Sequence, residues 1–203
     1  MEPLKLRDTT LVGQEVVLGR SSSDHTLGPG LVLENCRLRC ECGARRVCVV
    51  GFTMRGGLFE VRRVLNNKQF YDVHFRGVRF TGRYSGCDFG EWDPQGTASI
   101  QDCNFDDAHL DYCRILGSDP TSIVFPAWPC FVVRDPIQAR RFFELRKWPF
   151  HMGITLGVVT NTRPGNRAII CDAERMARDD DLTLTEIRAL LDGMPGLQIR
   201  DGT

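Results

Sequence analysis

No stretch of this chain approaches about eighteen consecutive apolar residues, so nothing in it reads as a membrane span. The opening residues lack the combination of basic head, apolar run and small-residue cleavage site, so no signal peptide is expected. An excess of one charge is missing too. Lys and Arg number 26 and so do Asp and Glu, so whole-chain charge argues for no particular partner. Familiar catalytic signatures are also absent: no GxxxxGK(S/T), GxSxG or HExxH and no dinucleotide fingerprint. A non-catalytic protein without cofactor is therefore expected.

What is present begins with hydrophobic content of 42%, enough for a proper core in 203 residues. Cysteine is abundant, at nine. Cys36, Cys40, Cys42 and Cys48 cluster, but CRLRCEC has the wrong rhythm for two zinc knuckles, so no metal site is expected. Several cysteines instead occupy positions where a small apolar side chain is wanted, a role free thiols fill readily. Reduced core thiols and a cytoplasmic location follow. The four histidines, His25, His74, His109 and His151, are scattered; His74 and His109 are expected to face solvent.

The main pattern is a period of five. Cys103 to Gly117 divides into CNFDD, AHLDY and CRILG, each opening on a small residue with a bulky apolar residue two places later. Neither a helix nor a strand has that period. The same rhythm runs through Leu65, Phe70, Phe75 and Phe80, with Val73 and Val78 at the small position. It slips by one at Tyr84 and Phe89, with Cys87 small, and resumes at Phe105. The excess falls in GEWDPQGT, Gly90 to Thr97, which reads as a loop. GLVLENCRLRC and RRVCVVGFTM look like irregular members of the array.

CDFGE, CNFDD and AHLDY resemble the units of the pentapeptide-repeat family. The resemblance spans roughly Leu31 to Phe125 and is clearest from 65 to 115. It implies a right-handed, roughly square β-helix whose central and small residues point inward and whose other positions face water. One coil cannot bury its inward residues alone, so both ends need caps. EVVLG, Glu15 to Gly19, is expected to cap one end, and the chain beyond Phe125 the other.

That last part changes character at PAWPC. DPIQARRFFELRKW reads as a helix, with Asp135 as N-cap, Pro136 at its first position, and Ile137, Phe142 and Leu145 or Phe143 buried. GITLGVV and RAIICDA read as strands joined through NTRPGN. Thr183 and Glu186 form a capping box for TLTEIRALLDG, stopped by Gly193, with Leu184, Ile187, Leu190 and Leu191 on one face. The expected architecture is mainly β: a β-helix with N-terminal cap over residues 1–127, and a C-terminal α+β capping unit over 128–203.

Charge is segregated along the array. Arg37 to Arg83 holds eleven basic residues against Glu41, Glu60 and Asp72. Tyr84 to Cys113 holds seven acids and no Lys or Arg: Asp88, Glu91, Asp93, Asp102, Asp106, Asp107 and Asp111. The plain reading is basic coils attracting acidic neighbours. The functional reading is an acidic docking surface built from Asp88, Glu91, Asp93, Asp106, Asp107 and Asp111, with Trp92 exposed as its aromatic anchor. Outward positions on a convex wall form no pocket for acid–base chemistry.

The layout of a degenerate array followed by a C-terminal α+β unit resembles small immunity proteins of toxin–immunity loci. That resemblance implies direct binding of a cognate toxin, such as a nuclease with a basic cleft, and no direct contact with nucleic acid or membrane. The alternatives are a DNA-mimicking pentapeptide protein acting on a topoisomerase, for which this chain is short and neutral, and a scaffold for another partner.

Overall fold

The computed structural model describes residues 2–93 and 95–202. The chain first winds as a β-solenoid of about five stacked turns. The first turn carries β1 (Lys5–Leu6), β2 (Thr10–Val12) and β3 (Glu15–Leu18). The second carries β4 (His25–Leu27), β5 (Leu31–Glu34) and β6 (Arg37–Cys40). Next come β7 (Val47–Val49), β8 (Phe52–Arg55), β9 (Leu58–Val61) and β10 (Leu65–Asn66), then β11 (His74–Arg76), β12 (Arg79–Ser85) and β13 (Asp88–Gly90). The last turn holds β14 (Ser99–Gln101), β15 (Ala108–Asp111) and β16 (Cys113–Leu116). The C-terminal part follows with β17 (Cys130–Arg134), α1 (Arg140–Glu144), α2 (Phe150–Thr160), β18 (Asn166–Asp172), α3 (Ala173–Asp180), α4 (Leu184–Leu191) and β19 (Leu197–Ile199).

Each side of the solenoid is a parallel ladder: β1–β4–β7, β2–β5–β8–β11–β14, and β3–β6–β9–β12. The period of five arises because each side is spent on one short strand and one corner, which brings every central residue over its equivalent in the next turn. Leu38, Phe59 and Phe80 form one such column, and Leu33, Met54, Phe75 and Ile100 another. All the inward residues expected from the rhythm, including Val73, Val78, Cys87, Cys103, Ala108 and Cys113, are buried. Tyr84 stands in the column of Leu65 and Leu110, and its buried hydroxyl donates to the Phe59 carbonyl at 3.1 Å. That bond removes the cost of burying a lone hydroxyl.

Corners require left-handed backbone, which Asn, Asp and Gly tolerate. Asn35 (φ 51°) lies below Gly56 (φ 63°), where a Cβ would meet the Asn35 amide oxygen at 2.3 Å. The one-residue slip between Phe80 and Tyr84 also has a cause. β12 runs unbroken through a corner at Gly82 (φ 96°), pairing first with β9 and then with β10 and β15. A Cβ at Gly82 would stand 2.0 Å from the Val61 carbonyl oxygen.

Four expectations are corrected. EVVLG is no cap: it contains β3, paired in parallel with β6, so the solenoid begins near Lys5. GITLGVV is no strand; it lies inside the eleven-residue helix α2. The helix in DPIQARRFFELRKW is confined to Arg140–Glu144, because Asp135 takes a left-handed φ of 44° and so cannot serve as its N-cap. Ile137 and Leu145, expected inside, are 44% and 75% exposed. Two further C-terminal elements form as read, β18 over RAIICDA and α4 opened by the Thr183–Glu186 capping box, whereas β17 and β19 have no counterpart in the sequence reading. The sequence reading overlooked α3, capped by Asp172, whose side chain accepts from the Glu174 amide.

The solenoid and the helical part share one sheet, in the order β13–β16–β18–β17–β19. Strand alternation divides two cores across it. Val132, Ala168 and Ile170 face the solenoid interior, while Phe131, Val133, Ile169 and Cys171 face the helices. All nine cysteines are free thiols, and only Cys48 is exposed. Burial pushes the Cys40 thiol up to about 12 and the Cys103 thiol to about 11, which keeps both protonated at neutral pH.

Candidate functional site

The acids expected to form a docking surface are mostly spoken for. Asp88 is buried and takes two hydrogen bonds from Arg114, at 2.6 and 2.8 Å. Asp111 is buried and paired with Arg175 at 2.7 Å. Both are corrections, since an outward, free carboxylate was expected at each. Asp106 and Asp107 are exposed, but Arg200 and Arg79 pair with them. The Arg79–Asp107 contact joins a basic coil to the acidic one above it, as the plain reading of the charge segregation expects. Trp92 is half-buried rather than exposed, with Arg114 and Arg163 stacked 5.1 and 5.9 Å from its ring. Of the expected set, Glu91 and Asp93 have no cation within ion-pairing distance among the described residues.

The histidines also have partners. His25 is fully buried, its Nδ1 accepting from the Leu4 amide and its Nε2 donating to the Gly19 carbonyl. His74, half-buried, bonds to Ser99, and His109 lies 3.3 Å from Asp172. Burial raises the Asp172 carboxyl above its ordinary range, against the pull of His109. No group of three or more His, Cys, Asp or Glu side chains converges as a metal site among the described residues.

The feature with unspent chemistry is a cleft of about 1690 Å³ in the solenoid wall. Its origin is local. After β6 the chain crosses the fourth side through the 3-10 turn Ala44–Arg46, and after β9 it does so through Arg62–Lys68 with only the two-residue β10. Side chains of successive turns leave a concavity between them there. Arg45, Arg62, Arg63, Lys68 and Arg83 line it, with Glu60 as the one carboxylate. Glu60 is held by Arg37 and Arg62, at 2.6 and 2.7 Å. Lys68 donates to the Val47 carbonyl at 2.5 Å, and its partial burial lowers its pKa.

Arg45, Arg63 and Arg83 have no carboxylate within ion-pairing distance among the described residues. Beside them are Val50, Val64 and Tyr71, exposed by 41%, 41% and 54%. A small apolar hollow adjoins the cleft, sharing Gln69 and Tyr71 with it and lined further by Trp92. The aromatic expected as an anchor thus lines this adjoining hollow, together with Asp88, Glu91 and Asp93, and not the basic cleft itself. All three free arginines lie in the basic stretch seen in the sequence. What that stretch lacked was any sign of which side they share.

Neither a family model, nor a curated protein, nor a solved structure matches this chain.

Proposed function

We propose that this protein is a non-catalytic binding module that captures an acidic partner protein on the basic cleft of its solenoid. The observation that carries this reading is the set of three unpaired arginines, Arg45, Arg63 and Arg83, beside exposed Val50, Val64 and Tyr71. On the neighbouring coils Arg37 and Arg62 are matched by Glu60, Arg39 by Glu15 and Glu41, Arg55 by Glu34 and Arg79 by Asp107, so the cleft carries a local surplus of cations. Cations around an apolar centre steer an anionic surface inward and leave the apolar contacts to retain it. Exposed aliphatic side chains favour a protein over a nucleic-acid strand, which asks for stacked aromatics along its track.

Toxin neutralisation remains the particular form we favour, with its electrostatics reversed. Four of the six carboxylates expected to meet a basic toxin, Asp88, Asp106, Asp107 and Asp111, are already paired, so the toxin that fits has an acidic rim, as around catalytic carboxylates. The same pairing removes the motive for a DNA-mimicking role, which needs a free acidic surface.

The test is affinity capture from nuclease-treated extract of the source organism. An acidic protein retained by the wild type and by Asp106→Asn/Asp107→Asn, but lost with Arg45→Glu/Arg63→Glu/Arg83→Glu, supports the reading. Capture that survives the triple change, or that disappears on nuclease treatment, contradicts it.

A further inference from the structure

The hollow beside the cleft originates in the register of the turns. Val50 pairs with Tyr71 and Gln69 with Asp88, which sets Gly90 next to Tyr71, and Gly90 in turn pairs with Leu116. Val50, Tyr71, Gly90 and Leu116 are thus one outward column, stepped at the roughly 4.8 Å of paired strands. Glycine is required in it: with φ at 97°, a Cβ at Gly90 would stand 2.0 Å from the Leu116 carbonyl oxygen. The missing side chain leaves a gap of about 180 Å³, closed by Tyr71, Trp92 and Leu116. Leu116 is buried yet belongs to neither hydrophobic core.

Three acids border this hollow, but their carboxylates are turned to donors. Asp88 is held by Arg114, Glu91 Oε2 accepts from the Ala98 amide at 3.4 Å, and Asp93 Oδ1 accepts from the Gln95 amide at 2.9 Å. What faces the hollow is apolar. At about 180 Å³ it is smaller than the roughly 300–1,000 Å³ of a small-molecule site and has room for one side chain.

We propose that this hollow is the specificity pocket of the docking surface, taking one apolar side chain from an extended acidic segment of the partner protein. The inference rests on the cleft being where that partner docks. Cleft and hollow share Gln69 and Tyr71, both exposed, so one segment can lie across both. Over the cleft its carboxylates meet Arg45, Arg63 and Arg83, which have no acid of their own among the described residues. From Val50 to the hollow is two turns, about 10 Å, the reach of about three extended residues. Contacts with Val50, Tyr71 and the pocket therefore fall within one short stretch. The acids of that stretch lie on the cleft side of the anchored residue. Glu91 and Asp93 line the hollow and not the cleft, and like charge there disfavours a carboxylate carried past it. Arg163, stacked on Trp92 outside the hollow, offsets only one of the two.

Peptides with blocked ends serve as probes, titrated at low salt by fluorescence anisotropy. The NMR signal of the Trp92 indole N–H, assigned with Trp92→Phe, reports on the hollow itself. The better of EEEEGL and LGEEEE should bind the wild type about tenfold more tightly than EEEEGG, the gain when one apolar side chain leaves water. Only the leucine peptides should shift the Trp92 signal. EEGLEE, of the same composition, should bind more weakly than the better of the first two, because it carries acids past the pocket. Arg45→Glu/Arg63→Glu/Arg83→Glu should bind none of them. Equal affinity for the leucine peptides and EEEEGG, with the Trp92 signal unmoved, overturns the pocket and leaves the cleft standing. Absence of binding by every peptide, or binding by the triple variant at wild-type strength, overturns the cleft and the pocket together.

Discussion

Arg175 on α3 reaches across to Asp111 on β15, its Nε donating to Oδ2 at 2.7 Å. Asp111 Oδ1 meanwhile accepts from the Asp172 amide at the start of that helix, at 3.2 Å. One carboxylate thus ties the last full coil to the helical part twice. Burial works against the Arg175 charge, but the Asp111 hydrogen bond and its negative charge more than compensate and hold its pKa above the ordinary value.

The seam therefore depends on this pair. Asp111→Asn and Arg175→Met should each cost about 1.5–3 kcal/mol, the range for hydrogen bonds to charged groups. The double mutant should cost less than the two single changes added together, because neither leaves a charge stranded. Urea denaturation of the four proteins measures the coupling. Strict additivity would show that the contact contributes nothing.

The second prediction concerns the aromatic column. Phe80 and Phe105 stack with centroids 4.3 Å apart and planes 11° from parallel. Phe105→Ala should destabilise by about 3–5 kcal/mol, combining lost transfer energy with a cavity rigid coils cannot close. A loss under about 1 kcal/mol in chemical denaturation, the cost of an average substitution, would be inconsistent with a stacked core.

Gly82 gives a third prediction. Gly82→Ala adds both a strained left-handed residue and a methyl on the Val61 carbonyl, so β12 must part from β9. The strain alone is of order 1–3 kcal/mol, and the clash adds to it. Ala98 and Ala44 lie away from any such corner and tolerate Gly with little effect by comparison. A Gly82→Ala protein that melts with the wild type would refute the tight corner.

Much of this fold was legible because inward positions of a solenoid answer only to their equivalents in neighbouring turns. Phe75, Phe80, Cys103 and Leu110 therefore keep a rhythm readable in one dimension. Charged partners keep no such rhythm: Arg114 lies 26 residues from Asp88 and Arg175 64 from Asp111. Asp88 and Asp111 consequently read as free although each is matched. Helix α2 was hidden for another reason. Ile154, Thr155, Val158, Val159 and Thr160 have the β-branching of a strand, and Gly153 and Gly157 serve aromatic neighbours outside the helix. The cleft itself lies on the side with least regular structure, where no period marks which arginines converge.

A fourth prediction is one of pH. The Asp180 carboxylate caps α2, accepting from the His151 and Met152 amides at 2.9 and 2.6 Å. Burial raises its pKa, but those donors and the His151 side chain outweigh it and leave the group below its ordinary 3.8. A depressed folded-state pKa stabilises above the unfolded value and loses that contribution as pH falls through the folded one. Wild type should therefore exceed Asp180→Asn in stability near neutral pH, with the gap closing as pH falls below 3.8. Thermal melts of the two proteins across that range decide it, and a gap that does not vary with pH would rule out the charged cap.

The most direct test of the binding role is kinetic: biosensor association of the captured acidic partner at low and high salt. The triple variant Arg45→Glu/Arg63→Glu/Arg83→Glu should associate at least about tenfold more slowly than wild type at low salt, and the difference should shrink as salt screens the charges. Tyr71→Ala should leave association nearly unchanged and speed dissociation. Association of the triple variant at the wild-type rate, with the same salt dependence, would contradict the assignment of the cleft as the docking surface.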